Sequence, residues 1–209
     1  WSAATNPDST EALFDDIRAS FEQEANSTAR DDGDVDARFE GTEIRAEYTV
    51  PMLAHTTMEP MNATALFEHT KMTVWCGNQA PGITQDRCAE AVGLAPEQVT
   101  LHTTLMGGGF GRRSETDYAV IAAKIAQKMP GTPVKASWTR EEDMRRDWFR
   151  PAAMARYRGV VASGQAVLLD GQIAGPSVIQ QTTKRSSGRE MGGAACEHVS
   201  GAFDQPYGV

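Results

Sequence analysis

Residues 107–113, Gly-Gly-Gly-Phe-Gly-Arg-Arg, carry the densest chemical signal in the chain. Glycine at 107, 108, 109 and 111 leaves a backbone that can take positive φ and come into contact with a bound group. A helix start after such a loop offers unpaired N–H groups to an anion. Arg112 and Arg113 add charge and forked donors suited to phosphate. The stretch reads as a place to hold something anionic against bare backbone, and the alternative is a tight turn that binds nothing. It matches neither common nucleotide loop. The dinucleotide fingerprint needs glycine at its sixth position, which from Gly107 is Arg112, and the Gly-Lys-Ser/Thr close of a P-loop is absent.

Other reactive residues are scattered. Cys76, Cys88 and Cys196 are spaced too widely for a zinc or iron–sulfur framework and read as buried or idle thiols. His55, His69, His102 and His198 show no His-Glu-x-x-His spacing. The acidic run around Asp31–Asp34 lacks the spacing and closing glutamate of a calcium loop. No metal site built from protein ligands is expected.

Composition bounds the rest. With 209 residues, 40% hydrophobic and 23% charged, the chain reads as a soluble globular protein of one large domain or two small ones. A net charge of −8, a pI near 5.0 and basic runs no longer than two residues argue against a nucleic-acid surface. No stretch approaches a membrane span, and no signal peptide is visible. The chain opens on Trp1-Ser2 without an initiator methionine and stops at Tyr207-Gly208-Val209, so it reads as an internal piece of a longer protein.

The elements that must position the glycine loop follow from periodicity. Leu13, Phe14, Ile17 and Phe21 recur at helical spacing within a helix expected over 7–25, and an acidic surface loop over 26–37 follows. Strands are expected over 44–50, 63–67 and 71–76, then a helix over 84–92 stopped by Gly93. A strand over 99–105 feeds the glycine loop. The loop opens the most regular helix, 116–129, with Tyr118, Ile121, Ala122, Ile125 and Met129 on one apolar face. A strand over 134–138, a cap at Thr139 leading into a helical turn over 143–146, and strand-like runs over 153–161, 166–169 and 173–179 complete the pattern; residues 182–209 read as loop. The order predicts an α+β fold with helices layered on a mixed β-sheet, and the glycine loop at the C-terminal end of a strand.

Four segments together carry a resemblance: Tyr48-x-x-Pro51, His55-x-x-Met58-Glu59-Pro60-Met61-Asn62-Ala63-Thr64-Ala65, Trp75-x-x-Asn78-Gln79-x-Pro81-Gly82, and Gly107–Arg113. In this order and spacing they resemble the molybdopterin-binding large subunit of the xanthine dehydrogenase/aldehyde oxidase family. They look closest to its isoquinoline 1-oxidoreductase beta-subunit branch, often labelled aldehyde dehydrogenase. The resemblance is strongest over 44–160. It divides the chain into an N-terminal helix and acidic connector over 1–43 and a truncated first molybdenum-cofactor-binding domain over 44–209.

The resemblance implies a molybdopterin-dependent oxidoreductase that oxidises aldehydes or N-heterocycles with water as oxygen source. The metal is then held by the pterin rather than by side chains, with the cytosine dinucleotide as the expected pterin form. Gln79 matches a glutamine whose amide hydrogen-bonds an oxygen ligand of molybdenum; its alternative is a turn residue beside Pro81. Phe110 and Gly111 match residues that line the metal with backbone N–H. Gly107, Gly108, Gly109, Arg112 and Arg113 complete the implied cofactor contacts, although Glu115 and Asp117 offer the arginines a local charge cluster instead. Glu59 and His55 read as turn-fixing residues. A glutamate that some relatives carry three residues after the glycine of the Phe-Gly pair is Ser114 here, so purine contacts do not transfer. The family's general-base glutamate lies outside this chain, since Gly188–Gly193 sits in the wrong region, and the piece alone is expected to be inactive.

Implied partners are the remainder of the large subunit and a two-cluster iron–sulfur subunit or a cytochrome acceptor. The branch includes members exported by a twin-arginine signal, with a cytoplasmic location as the alternative. Two readings stand against the resemblance: a stand-alone anion- or nucleotide-binding module, and a non-catalytic structural domain.

Overall fold

A computed structural model describes residues 9–37, 40–190 and 199–203. The chain forms two compact units: residues 54–149, and residues 1–53 together with 150–209.

The 54–149 unit is built on a four-stranded sheet. Its strands are β2 (Asn62–Glu68), β3 (Lys71–Cys76), β4 (Val99–Thr103) and β5 (Val134–Ser137), in the order β4-β3-β2-β5. β3 and β4 run parallel and the other pairs antiparallel, so the sheet is mixed. Alternation does the work in β2 and β3: Ala63, Ala65, Met72, Val74 and Cys76 all point into one core. Parallel pairing needs a crossover, which α2 (Pro81–Val92) supplies between β3 and β4. Pro81 sits in its first turn, where a missing N–H costs nothing, and Gly93 closes it in the left-handed conformation. Helix α3 (Asp117–Gln127) packs on the same core, and the short α4 (Arg140–Arg145) is capped by the Thr139 hydroxyl, which accepts from the Glu142 N–H.

The other unit is a three-stranded antiparallel sheet, β1 (Thr42–Val50), β6 (Ala153–Ala162) and β7 (Gln165–Ala174), ordered β1-β6-β7. Helix α1 (Thr10–Ser20), capped by Ser9, lays Leu13, Phe14, Ile17 and Phe21 against Ala152, Met154 and Ala174. Arg156 stacks over the Phe21 ring and pairs with Glu22 and Glu47. The fold is α+β with helices on mixed and antiparallel sheets, as expected from the element order.

Four expectations are corrected. The buried face of α3 is Tyr118, Ala119, Ala122, Ala123 and Ala126, whereas Ile121, Ile125 and Met129 are exposed. Methyl groups let the helix axis approach the sheet closely, and the larger side chains stay outside. The run over 173–179 is not one strand: β7 ends at Ala174, and Gly175-Pro176 breaks the ladder. From Val178 the chain is helical to Ser187 as α5, with the Ser177 hydroxyl accepting from the Gln180 N–H, so residues 182–187 are helix rather than loop. Finally β4 stops at Thr103, leaving Leu105 outside it and fully exposed. Residues 7 and 8, 191–198 and 204–209 lie outside the described residues, and with them Cys196 and His198.

Candidate glycine-loop site

Because β3 and β4 are parallel neighbours with Cys76 opposite Thr103, their following loops leave the sheet at the same end. One is Gly77–Ala80, carrying Asn78 and Gln79. The other is the glycine loop, which runs from the end of β4 through a 3-10 turn at Arg112–Ser114 into α3. The segment before β2, with His55 and Glu59, joins them there. Asn78 ties the two strand ends by donating to Cys76 O and to Thr103 Oγ1 at 3.1 Å, while its own Oδ1 is buried without a partner among the described residues.

The loop backbone is held in an unusual path. Gly108 and Gly111 have φ of +103° and +97°. Phe110 between Gly109 and Gly111 has φ +54° and is 65% exposed. A bulky side chain in the left-handed region costs roughly 1–3 kcal/mol and persists only where its surroundings enforce it. The enforcing contacts come from Gln79. Its Oε1 accepts the Gly111 N–H at 3.1 Å, and its backbone N–H donates to Arg113 O at 2.9 Å. Gln79 lies flat against Gly109: a Cβ built on Gly109 would stand 2.5 Å from Gln79 Oε1 and 2.8 Å from its Cδ.

Behind the loop stands a buried charge network. Arg113 is fully buried and donates to the carbonyls of Gly108, Gly77 and Glu59 and to Glu59 Oε2 at 2.8 Å. Arg112, equally buried, makes a two-pronged pair with Asp117 at 2.9 Å for both bonds. Its Nε lies 3.1 Å from Asp147 Oδ1, close enough for charge but off the hydrogen-bonding line, and its guanidinium stacks over Trp138. Burial opposes the Arg112 charge, yet Asp117, Asp147 and Asp143 outweigh it and hold its pKa above the ordinary arginine value. Both guanidinium groups therefore face into the protein: Arg112 pairs with Asp117 of the local charge cluster, while Arg113 pairs with the distant Glu59.

Glu59 is the residue whose importance the sequence understated. Oε2 accepts the Gly107 N–H at 2.7 Å, Oε1 accepts from Asn62 at 2.8 Å, and Arg113 pairs with the same carboxylate. It does fix the entry to β2, and it also pins the start of the glycine loop. Burial pushes its carboxyl pKa up, but the Gly107 N–H, the Asn62 amide and the charges of Arg113 and Lys135 outweigh this and hold it below the usual range. Tyr118 adds a second tie, its hydroxyl donating to Gly77 O at 2.8 Å, and burial pushes its phenol up. His55 is gripped by Asp147, through its own N–H and through Nδ1 at 2.9 Å.

What remains open in this arrangement defines its chemistry. The N–H groups of Gly108, Gly109 and Phe110 have no partner among the described residues, and neither does the Gln79 side-chain NH2. These are neutral donors close together on a loop with no side chain at Gly108 or Gly109, a pattern that suits an anionic or oxo-bearing group. Among the described residues no three His, Cys, Asp or Glu side chains are grouped to hold a metal. Cys76 and Cys88 are buried, and burial pushes the Cys88 thiol up to about 12.

The chain matches the molybdopterin cofactor-binding domain over residues 20–202. It is 36% identical over 128 residues to the isoquinoline 1-oxidoreductase subunit beta of Brevundimonas diminuta, covering 60% of this chain and 16% of that protein. It is 35% identical over 147 residues to the membrane-bound aldehyde dehydrogenase [pyrroloquinoline-quinone] of Gluconacetobacter polyoxogenes, covering 69% and 19% respectively. Among solved structures, quinoline 2-oxidoreductase of Pseudomonas putida 86 aligns with a TM-score of 0.53 at 17% identity, over 63% of this chain and 17% of that one, which shows a shared fold. The chain thus spans less than a fifth of the length of these relatives. With the match running through both units and across the whole glycine-loop site, the chain belongs to the molybdopterin cofactor-binding domain family of the molybdenum hydroxylases.

Proposed function

We propose that the glycine loop and Gln79 form one wall of a molybdopterin site in a longer polypeptide. That polypeptide would oxidise aldehydes or N-heterocycles with water as oxygen source. The observation that supports this reading is the set of unpaired donors at Gly108, Gly109, Phe110 and Gln79, on a loop whose strained shape other residues enforce. The bound cofactor supplies two-electron oxidation with oxygen from water. This chain supplies position and neutral donors. The free NH2 of Gln79 hydrogen-bonds an oxygen of the group, the loop N–H groups line it, and Phe110 shields it from water. Gly107 anchors the loop through Glu59. Arg112 and Arg113 serve the cofactor from behind, holding the loop in shape with charges spent on Asp117, Asp147 and Glu59.

The same reading makes residues 44–209 the first cofactor-binding domain and 1–43 its connector. It assigns the pterin a cytosine dinucleotide form and the electrons to a two-cluster iron–sulfur or cytochrome partner. With the general-base glutamate outside residues 1–209, the chain alone does not turn over substrate.

The test is elemental molybdenum and acid-released nucleotide on the complete polypeptide, co-expressed with its small partner in a host that makes the cofactor. Near-stoichiometric molybdenum with cytidine nucleotide is expected. A folded protein with neither, or one carrying pyrroloquinoline quinone instead, would overturn the reading.

A further inference from the structure

We infer that His55 is a second hydrogen-bonding side chain of the cofactor-facing site, presented beside Gly111 and locked in one tautomer by Asp147. This rests on the molybdopterin reading and adds to it a residue that the motif alone marks only as part of a turn.

The geometry begins with Asp147, whose carboxylate is almost fully buried. One oxygen accepts the His55 backbone N–H and the other meets His55 Nδ1 at 2.9 Å. A carboxylate at Nδ1 fixes the proton on that nitrogen and leaves Nε2 as the working atom. The same Asp147 oxygen lies 3.1 Å from Arg112 Nε, so the ring is tied to the buried network that shapes the loop. Nε2 makes no hydrogen bond among the described residues, and it is not sealed from solvent. A structural histidine buried for packing usually satisfies both nitrogens; this one satisfies only the nitrogen facing inward.

Nε2 is aimed at the loop. It lies 3.8 Å from the position a Cβ on Gly111 would occupy, and apart from the adjoining residues no other heavy atom comes within 4 Å of that position. The absent side chain at Gly111 leaves a slot beside the imidazole. Gly111 is thus flanked twice: its N–H meets Gln79 and its open α-carbon face meets His55. Gln79 offers an NH2 donor, and His55, with its proton on Nδ1, offers Nε2 as an acceptor. A group with both oxygen and N–H functions, as a pterin has, can use both.

The experiment is histidine footprinting of the complete protein with diethyl pyrocarbonate, read by mass spectrometry. One sample comes from a host that makes the cofactor, the other from a host that does not. His69 and His102, both exposed, serve as internal controls. His55 is expected to label in cofactor-free protein and to lose that labelling on loading, with the controls unchanged. Equal labelling in both samples, or none in either, would overturn the inference. Absence of cofactor from the competent host would instead sink the reading beneath it. The variant His55→Asn guards against an unstable cofactor-free form, because asparagine keeps the bond to Asp147 and removes Nε2. It is expected to fold, load and then release cofactor on dialysis about fivefold faster than wild type. Wild-type retention would overturn the inference.

Discussion

Gln79 and Gly109 fit together closely: the carboxamide of Gln79 occupies the space where a Cβ on Gly109 would stand. That packing lets one amide oxygen take the Gly111 N–H while the amide NH2 stays available. The glutamine is at once a brace for the loop and a donor to whatever the loop holds.

Replacing Gln79 should separate these two roles. Gln79→Glu keeps an acceptor for Gly111 but removes the NH2, and Gln79→Ala removes both. Because the side chain is exposed, each is expected to cost less than about 1 kcal/mol of stability in urea unfolding. Turnover of the loaded enzyme is expected to fall about a hundredfold in both, as for loss of one preorganised donor. A Gln79→Glu enzyme with wild-type turnover would show that the NH2 has no part.

Glu59 is expected to matter for stability as well. Glu59→Ala leaves the buried Arg113 guanidinium without its carboxylate and frees the Gly107 N–H. Arg113 keeps three carbonyl acceptors, so the expected loss is about 2 kcal/mol, below the full cost of orphaning a buried charge. Glu59→Gln, which can still accept from Gly107, should lose about half as much. Equal stability of all three proteins would contradict the clamp.

The same residue carries a pH signature. The Glu59 pKa in the folded protein lies below the ordinary value of 4.5, so folding favours the ionised form. Its contribution is therefore complete above the unfolded pKa and is lost as pH falls through the folded one. The stability gap between wild type and Glu59→Gln should be constant near neutrality and close below about pH 4. A gap that widens on acidification would reverse the sign and refute the assignment.

The core of the 54–149 unit gives a test independent of the site. Ala122→Leu puts extra methylenes at the α3–sheet contact and should destabilise by about 1–3 kcal/mol, whereas Ile121→Ala on the exposed face should cost less than about 1 kcal/mol. The reverse ranking in thermal unfolding would mean that α3 docks by its larger side chains.

Much of this architecture was legible in the residues. Lys71–Cys76 alternates cleanly because one face of β3 is buried and the other is not, and Gly93 marks a helix stop because only glycine takes that left-handed turn readily. The face of α3 was not legible, because hydrophobic size points to Ile121 and Ile125 while close approach to the sheet selects the alanines. Helix α5 hid behind Val178 and Ile179, β-branched residues that favour strands, and its real signal was Pro176-Ser177 ahead of them. At the site, the loop and Gln79 stood out by motif. The ties from Glu59, Tyr118 and Asp147 did not, since they join residues 41 to 92 positions apart in the chain. Only the parallel pairing of β3 with β4 shows that two of those loops leave the sheet at one end.

The most direct test of the central claim is molybdenum and nucleotide content of Gly109→Val in the complete polypeptide, beside wild type from the same host. The three atoms nearest a new Cβ all belong to the flexible Gln79 side chain, so the protein should still fold. Displacing the Gln79 carboxamide should abolish cofactor loading. Normal molybdenum occupancy in a folded Gly109→Val protein would contradict the assignment of this loop as a cofactor wall.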